Sequence, residues 1–291
     1  MVDIAATMHW SSWVDLATAG ANSTIPIVPG LYRIRRVGRE DLDYIGQTGG
    51  ALRGRLGMLK GAYVPEMPYR DPHTAGPGLW ALRHSLGCEF QASVTPIVGS
   101  TPWRKGMEAV AIALYRQGRQ ASPTLEFGRI PVGYRGSSGN NARLVAAGQR
   151  YRGGPWEGPH TSHVLGIPPV GSLDGDPVGR SWGGHAWTPW VPVASAGTVR
   201  TAVGLYRLRA AGAVDLIYIG QGLIGSRIAA HMMKRTIAGH AQGGVFAAAG
   251  PLEASWVEAA VESHQLLELE NDLIAAHVLT VGNVPAAQFL G

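Results

Sequence analysis

At 291 residues the chain has room for one large domain or two ordinary ones, and a hydrophobic content of 45% excludes a disordered protein. The net charge of +5 and pI near 9.6 suit a polyanionic partner, and they suit an ordinary basic protein equally well. The single Cys88 excludes an intrachain disulfide and a Cys-based zinc site, no run of about 18 apolar residues is present to span a membrane, and an intracellular, cytoplasmic setting is expected.

The first feature in chain order is "WSSWVDLATAG" at 10–20, and "WTPWVPVASAG" at 187–197 repeats it with an offset of 187 − 10 = 177. The Trp pairs Trp10/Trp13 and Trp187/Trp190 are expected to pack as a structural prefix to each first strand, with stacking on bases as the alternative.

Next comes "GLYRIRRVGREDLDYIG" at 30–46, echoed by "GLYRLRAAGAVDLIYIG" at 204–220, an offset of 204 − 30 = 174. Two short runs of β-formers around a polar turn predict a hairpin. Alternation puts Tyr32 and Ile34 on one face and Arg33 and Arg35 on the other. Tyr206 and Leu208 oppose Arg207 and Arg209 in the same way.

A helix is expected after each hairpin, over "ALRGRLGMLK" and "GSRIAAHMMKRTI". In the second, Arg227 and His231 are four residues apart and share a face, with Lys234 one turn on. A third strand follows at "FQASVTPI" and "LEASWVEA", then a second helix at "EAVAIALYRQ" and "ENDLIAAHVL", both offset by 252 − 90 = 270 − 108 = 162. The final turn, "PTLEFG" against "PAAQFL", keeps that offset.

The repeat therefore predicts two homologous domains, 1–127 and 186–291, each ordered strand-strand-helix-strand-helix. The connector 128–185 has no counterpart. Its first part holds Arg129, Arg135, Arg143, Arg150 and Arg152 without an acid, and reads either as a phosphate-tracking arm or as a solvated linker. Asn140 and Asn141 suit base edges or a turn.

A tyrosine in "GLY", a second in "YIG", an Arg on the next helix and a Glu on the helix after the third strand, present twice in order, resemble the GIY-YIG nuclease superfamily. The resemblance covers both repeats and not 128–185. It implies α/β (α+β) domains, each with a three-stranded antiparallel sheet and flanking helices, hydrolysing phosphodiesters with one Mg²⁺ or Mn²⁺ per site. Carried over by position, it implies catalytic roles for Tyr32, Tyr44, Arg55 and Glu108 in copy one. In copy two it implies Tyr206, Tyr218, Arg227, His231 and Glu270, with Glu108 and Glu270 as the metal ligands.

A single carboxylate suits Mg²⁺, which keeps several waters and shares the substrate phosphate. The planar guanidinium matches phosphate oxygens. Tyr32 or Tyr206 is expected to take the proton of the attacking water, directly or through His231, favoured as phenolate by nearby positive charge, with Tyr44 or Tyr218 orienting. Arg33, Arg35, Arg207, Arg209, Lys234, the basic arm and the loop 61–80 are expected to contact nucleic acid.

Two positions depart from the family pattern. Its late Asn is replaced by Glu126 and Gln288, and Glu126 is a candidate second metal ligand. The helix His is Leu59 in copy one, where Lys60 or His73 could substitute. One such site cuts one strand, so a fused pair implies a monomeric pseudo-dimer cutting both strands of duplex DNA. The alternative readings are a nucleic-acid-binding or damage-sensing protein with degenerate sites, and a nicking or structure-specific nuclease.

Overall fold

The computed structural model describes residues 4–68, 75–129, 131–134, 165–195, 199 and 201–290. The chain divides into two compact units. One comprises Met8–Val98 and Pro123–Leu165, the other Met1–Thr7, Gly99–Ser122 and Gly166–Gly291.

The first unit holds β1 (Val14–Asp15), β2 (Gly30–Arg36), β3 (Leu42–Thr48) and β4 (Phe90–Pro96), hydrogen-bonded in the order β1-β4-β2-β3. The second unit repeats the arrangement with β5 (Val191–Pro192), β6 (Val203–Ala210), β7 (Leu216–Leu223) and β8 (Leu252–Glu258), in the order β5-β8-β6-β7. Every pairing is antiparallel.

Each sheet thus has four strands where three were expected. The fourth strand directly follows the second Trp of each pair, and its hydrogen bonding begins just after the first Trp. Ser11 N–H donates to the Val94 carbonyl (2.8 Å) and Ser93 Oγ donates back to the Ser11 carbonyl (2.8 Å). Thr188 and Ser255 reproduce this, with Thr188 N–H on the Trp256 carbonyl (3.0 Å) and Ser255 Oγ on the Thr188 carbonyl (2.9 Å). These bonds satisfy the outer edge of β4 and β8 that a three-stranded sheet would leave open.

The glycines of the tyrosine motif have a steric cause. Tyr32 pairs with Gly46 and Tyr206 with Gly220 across the hairpin. A Cβ on Gly220 would lie 2.5 Å from the Tyr206 hydroxyl, and one on Gly46 would lie 2.6 Å from the Tyr32 hydroxyl. The ring of the first tyrosine lies across the glycine of "YIG", so the two halves of the motif form one packing unit.

After β3 come α1 (Leu52–Met58), a 3₁₀ turn Leu59–Tyr63 and α2 (Ala75–Leu86); after β7 come α4 (Ile224–Lys234) and α5 (Ala241–Ala248). The expected order had one helix here, and α2 and α5 are additional. Part of the loop expected at 61–80 is therefore helix.

The helices after the third strands, α3 (Thr101–Arg119) and α6 (Ser263–Val281), share the repeat offset, 263 − 101 = 162. Ser100 caps α3 by accepting from Trp103 N–H, and Glu262 with Gln265 forms a reciprocal box at the start of α6.

Both helices belong to the second unit, so the compact units do not follow the expected limits 1–127 and 186–291. Gly106 permits the close packing of α3, since a Cβ there would lie 2.4 Å from Val284 Cγ1. Arg116, fully buried, pairs with Asp272 (2.9 Å) and Glu268 (3.4 Å) of α6. Removing one member would strand a buried charge, at a cost of about 3–5 kcal/mol.

The end of the expected connector is also part of this unit. Ile167 N–H donates to Glu268 Oε2 (2.7 Å), and Trp190 Nε1 donates to the Val178 carbonyl (3.1 Å).

Candidate active site

Tyr206 and Tyr218 are brought together on one face of the second sheet, with ring centroids 6.1 Å apart. The α4 helix is laid against this face by Ile224 and Ile228, both buried, and the 3.6-residue period then aims His231 into the sheet. Tyr206 Oη and His231 Nε2 are 2.8 Å apart, and the imidazole also packs on Tyr218 (4.4 Å) and Phe246 of α5 (5.4 Å). Arg227, one turn earlier, interacts electrostatically with both Tyr206 and Tyr218. Glu270 of α6 interacts electrostatically with Tyr206, Tyr218 and Arg227. The structure therefore gathers the whole second-copy set of Tyr206, Tyr218, Arg227, His231 and Glu270.

Burial governs the electrostatics. Loss of hydration raises the Tyr206 hydroxyl well above the ordinary phenol value, against the pull of Arg227, and Tyr218 moves the same way. This corrects the expectation that positive charge would favour a phenolate: desolvation outweighs the guanidinium, so Tyr206 is a neutral hydroxyl. Burial lowers His231 to about 4, helped by Lys234 and Arg227, so the ring is neutral near pH 7. The Glu270 carboxyl is pushed up to about 7 by burial, with Arg227 opposing.

In the first unit Tyr32 and Tyr44 repeat the arrangement, with centroids 6.0 Å apart. Buried Arg55 donates from Nε to Tyr32 Oη (3.2 Å), whereas Arg53 donates to the carbonyls of Ile25 and Ser23. Leu59 is fully buried in the apolar core, at the position that corresponds to His231. Lys60 lies in the 3₁₀ turn after α1, and His73 lies outside the described residues. Glu108 sits on α3, within the second unit.

Glu126 and Gln288 prove to be one device. Glu126 Oε1 accepts from Ile45 N–H (2.6 Å) and Gln288 Oε1 accepts from Ile219 N–H (3.1 Å). Each is followed by a phenylalanine in left-handed backbone, Phe127 (φ 59°) and Phe289 (φ 61°). The side chain ties the closing turn to the strand residue beside the second tyrosine. Glu126, expected as a candidate second metal ligand, thus has a structural partner in the Ile45 N–H.

The strand arginines have structural partners as well. Arg207 is fully buried, stacked on Trp187 (4.3 Å) and Trp190 (4.7 Å), and Arg209 stacks on Trp190 (4.3 Å) and pairs with Glu253 (2.9 Å). Arg33 lies over Trp10 (4.5 Å) and Trp13 (4.7 Å), and Arg35 lies over Trp13 (4.0 Å). Alternation puts all four on the sheet face opposite the tyrosines, where they clamp the Trp prefix. Arg129 donates to the Pro123 carbonyl, and Lys234 Nζ donates to Gln242 Oε1 (2.6 Å). Arg135, Asn140, Asn141, Arg143, Arg150 and Arg152 lie outside the described residues.

Sequence reasoning missed Gln242 and Phe246. The signal was present, since Gln242 is the one polar residue in the segment "AQGGVFAA" of α5.

Among the described residues no three or more His, Cys, Asp or Glu side chains gather at one point. The donor set fits a hard cation held by one carboxylate, and Glu270 is such a group: a partly buried acid whose charge Arg227 offsets only in part. Also among the described residues, no helix is long and apolar enough to cross a membrane. No protein-family model, curated protein or solved structure matches the chain.

Proposed function

We propose that the chain is a metal-dependent endonuclease that hydrolyses phosphodiester bonds of DNA, with the Tyr206 site as its stronger centre. The observation that carries this reading is the convergence of two tyrosines, an arginine, a neutral histidine and a carboxylate on one sheet face. Glu270 is the residue that would hold Mg²⁺ or Mn²⁺, which supplies charge stabilisation for the phosphoryl oxygens when bound.

The Arg227 guanidinium is the group to bind and orient the phosphate. The Tyr206 oxygen takes a proton from the attacking water while its own proton passes to His231 Nε2. The neutral phenol thus works as one link of a relay, and no free phenolate is required. Tyr218, stacked beside it, holds the water or phosphate in place.

Tandem sites suit a pseudo-dimer that cuts both strands. The replacement of the histidine by Leu59 favours the second reading, a nicking enzyme in which the Tyr32 site is the weaker. Incubating supercoiled plasmid with the protein and Mg²⁺ or Mn²⁺ distinguishes the readings. Linear product supports two working sites and nicked circles support one. Binding without cleavage would replace the nuclease reading with that of a nucleic-acid-binding or sensing protein.

A further inference from the structure

We infer that the outer face of the first sheet docks an extended acidic peptide with an Asp-Pro step, gripping its backbone carbonyls with Arg33 and Trp13. The inference goes beyond the nuclease reading and does not rest on it.

The second unit shows such a grip formed within its own chain. Arg207 Nε donates to Ser255 Oγ (3.4 Å), which turns the terminal nitrogens toward the run Asp176, Pro177, Val178. Nη1 donates to the Pro177 carbonyl (2.5 Å) and Nη2 to the Val178 carbonyl (3.4 Å). Trp190 Nε1 adds a third bond, again to the Val178 carbonyl (3.1 Å). Asp176 shapes the run by accepting from Val178 N–H (3.0 Å). Arg207 and Trp187 are buried.

The first unit builds the same frame. Arg33 Nε donates to Ser93 Oγ (3.3 Å), and Ser93 is tied to Ser11 as Ser255 is tied to Thr188. Arg33 lies over Trp10 and Trp13 as Arg207 lies over Trp187 and Trp190. Among the described residues, however, Arg33 Nη1, Arg33 Nη2 and Trp13 Nε1 meet no acceptor, and Arg33, Trp10 and Trp13 are only half-buried. A guanidinium and an indole carry donors only, so an oxygen must satisfy them. The three donors that hold two consecutive carbonyls in the second unit thus stand in the same frame in the first.

Charge selects the partner. Arg209 pairs with Glu253 (2.9 Å), whereas Gln91, at the same register position, meets Arg35 through its amide oxygen (3.3 Å). Among the described residues neither Arg33 nor Arg35 has a carboxylate partner. Two uncompensated guanidiniums favour an acidic ligand. A proline keeps such a ligand extended and lowers the cost of ordering it. Nucleic acid is also anionic, but guanidiniums already lie 4.0–4.7 Å over the rings of Trp10 and Trp13, and bases would have to displace them to stack.

The test uses the full-length protein and the capped synthetic peptide LDGDPVG, which copies residues 173–179. NMR of protein labelled with ¹⁵N at tryptophan locates the peptide, with indole signals assigned by their loss in Trp13→Phe and Trp190→Phe. Fluorescence anisotropy of labelled peptide gives the affinity. The Trp13 indole signal is expected to shift saturably, and the Trp190 signal, already hydrogen-bonded within its unit, to stay in place. Arg33→Lys keeps the charge and loses the planar fork, and should weaken binding about tenfold, the worth of one hydrogen bond from a charged group. The same peptide with asparagine in place of both aspartates should bind more weakly, by a margin that shrinks as salt is raised. An unmoved Trp13 signal overturns the inference on the wild type alone, whether or not the variants fold. Equal affinity of the wild type and Arg33→Lys overturns it too. A short oligothymidine that displaces the peptide from Trp13 would overturn it in favour of a nucleic-acid surface. Plasmid cleavage enters none of these readouts, so the nuclease reading stands or falls separately.

Discussion

Tyr206 and His231 meet at 2.8 Å, Oη to Nε2, in a pocket that burial keeps neutral on both sides. The pair can pass a proton without either partner carrying a charge at rest. Removing the hydroxyl should break the relay while leaving the ring packing intact. Tyr206→Phe is expected to lower the rate of plasmid cleavage about 10²–10⁴-fold, the usual worth of a positioned acid–base group. Tyr32→Phe should leave nicking by the second site in place. Gel analysis of circular and linear products reads both, and undiminished cleavage by the Tyr32→Phe, Tyr206→Phe double variant would remove both tyrosines from the chemistry.

His231 should make the fold acid-sensitive. Its folded value near 4 lies below the ordinary 6.5, so the unfolded chain binds more protons between those limits. Stability is retained above pH 6.5 and declines as pH falls toward 4. His231→Leu should flatten that limb in thermal melts collected from pH 7 to pH 4. A limb of the same steepness in the variant would assign the acid sensitivity elsewhere.

Glu270 has the opposite sign. Its folded value of about 7 lies above the ordinary 4.5, so the folded state holds the extra proton and stability declines as pH rises from 4.5 to 7. Without divalent metal, Glu270→Gln is expected to stabilise the protein at pH 8 by on the order of 1–3 kcal/mol, given about 1.4 kcal/mol per pH unit and partial hydration of the group. Denaturant titrations at pH 5 and pH 8 should show the gain at the higher pH only. Equal melting behaviour of the two proteins at pH 8 would rule out an uncompensated carboxylate.

The Glu126 clamp predicts a stability effect separate from metal binding. Glu126→Ala deletes the acceptor of the buried Ile45 N–H and should cost about 1.5–3 kcal/mol, as loss of a hydrogen bond to a charged group does. Glu126→Gln, which matches the second copy, should recover most of it. Metal dependence of the melting temperature should be the same in all three proteins. A dependence lost in Glu126→Gln would restore the metal-ligand role.

The strand arginines should be silent toward nucleic acid. Arg35 and Arg209 rest on Trp13 and Trp190, on the face away from the tyrosines. Arg35→Ala and Arg209→Ala are expected to lower thermal stability and leave the slope of log K against log salt for duplex DNA unchanged. An arginine that neutralised a phosphate would, on removal, make that slope shallower by about 0.9.

The repeat, the hairpins, the paired tyrosines and the helix that carries His231 were all legible in the sequence. Each follows from local pattern: alternation along a strand, a 3.6-residue period along a helix, and a constant spacing between copies. The identical 162-residue offset of α3 and α6 was legible for the same reason.

Tertiary structure decided which charged groups face water and which face a neighbour. Arg207 reads as a surface cation in any sequence window, and the folded Trp prefix buries it together with the Pro177–Val178 segment. Glu126 became a backbone clamp because the closing turn meets β3, and Gln242 reached Lys234 because α5 packs against the end of α4. The physical reason is common to these cases. Strand and helix periodicities specify the face on which a side chain lies, whereas its partner, hydration and charge state depend on segments far away in the chain.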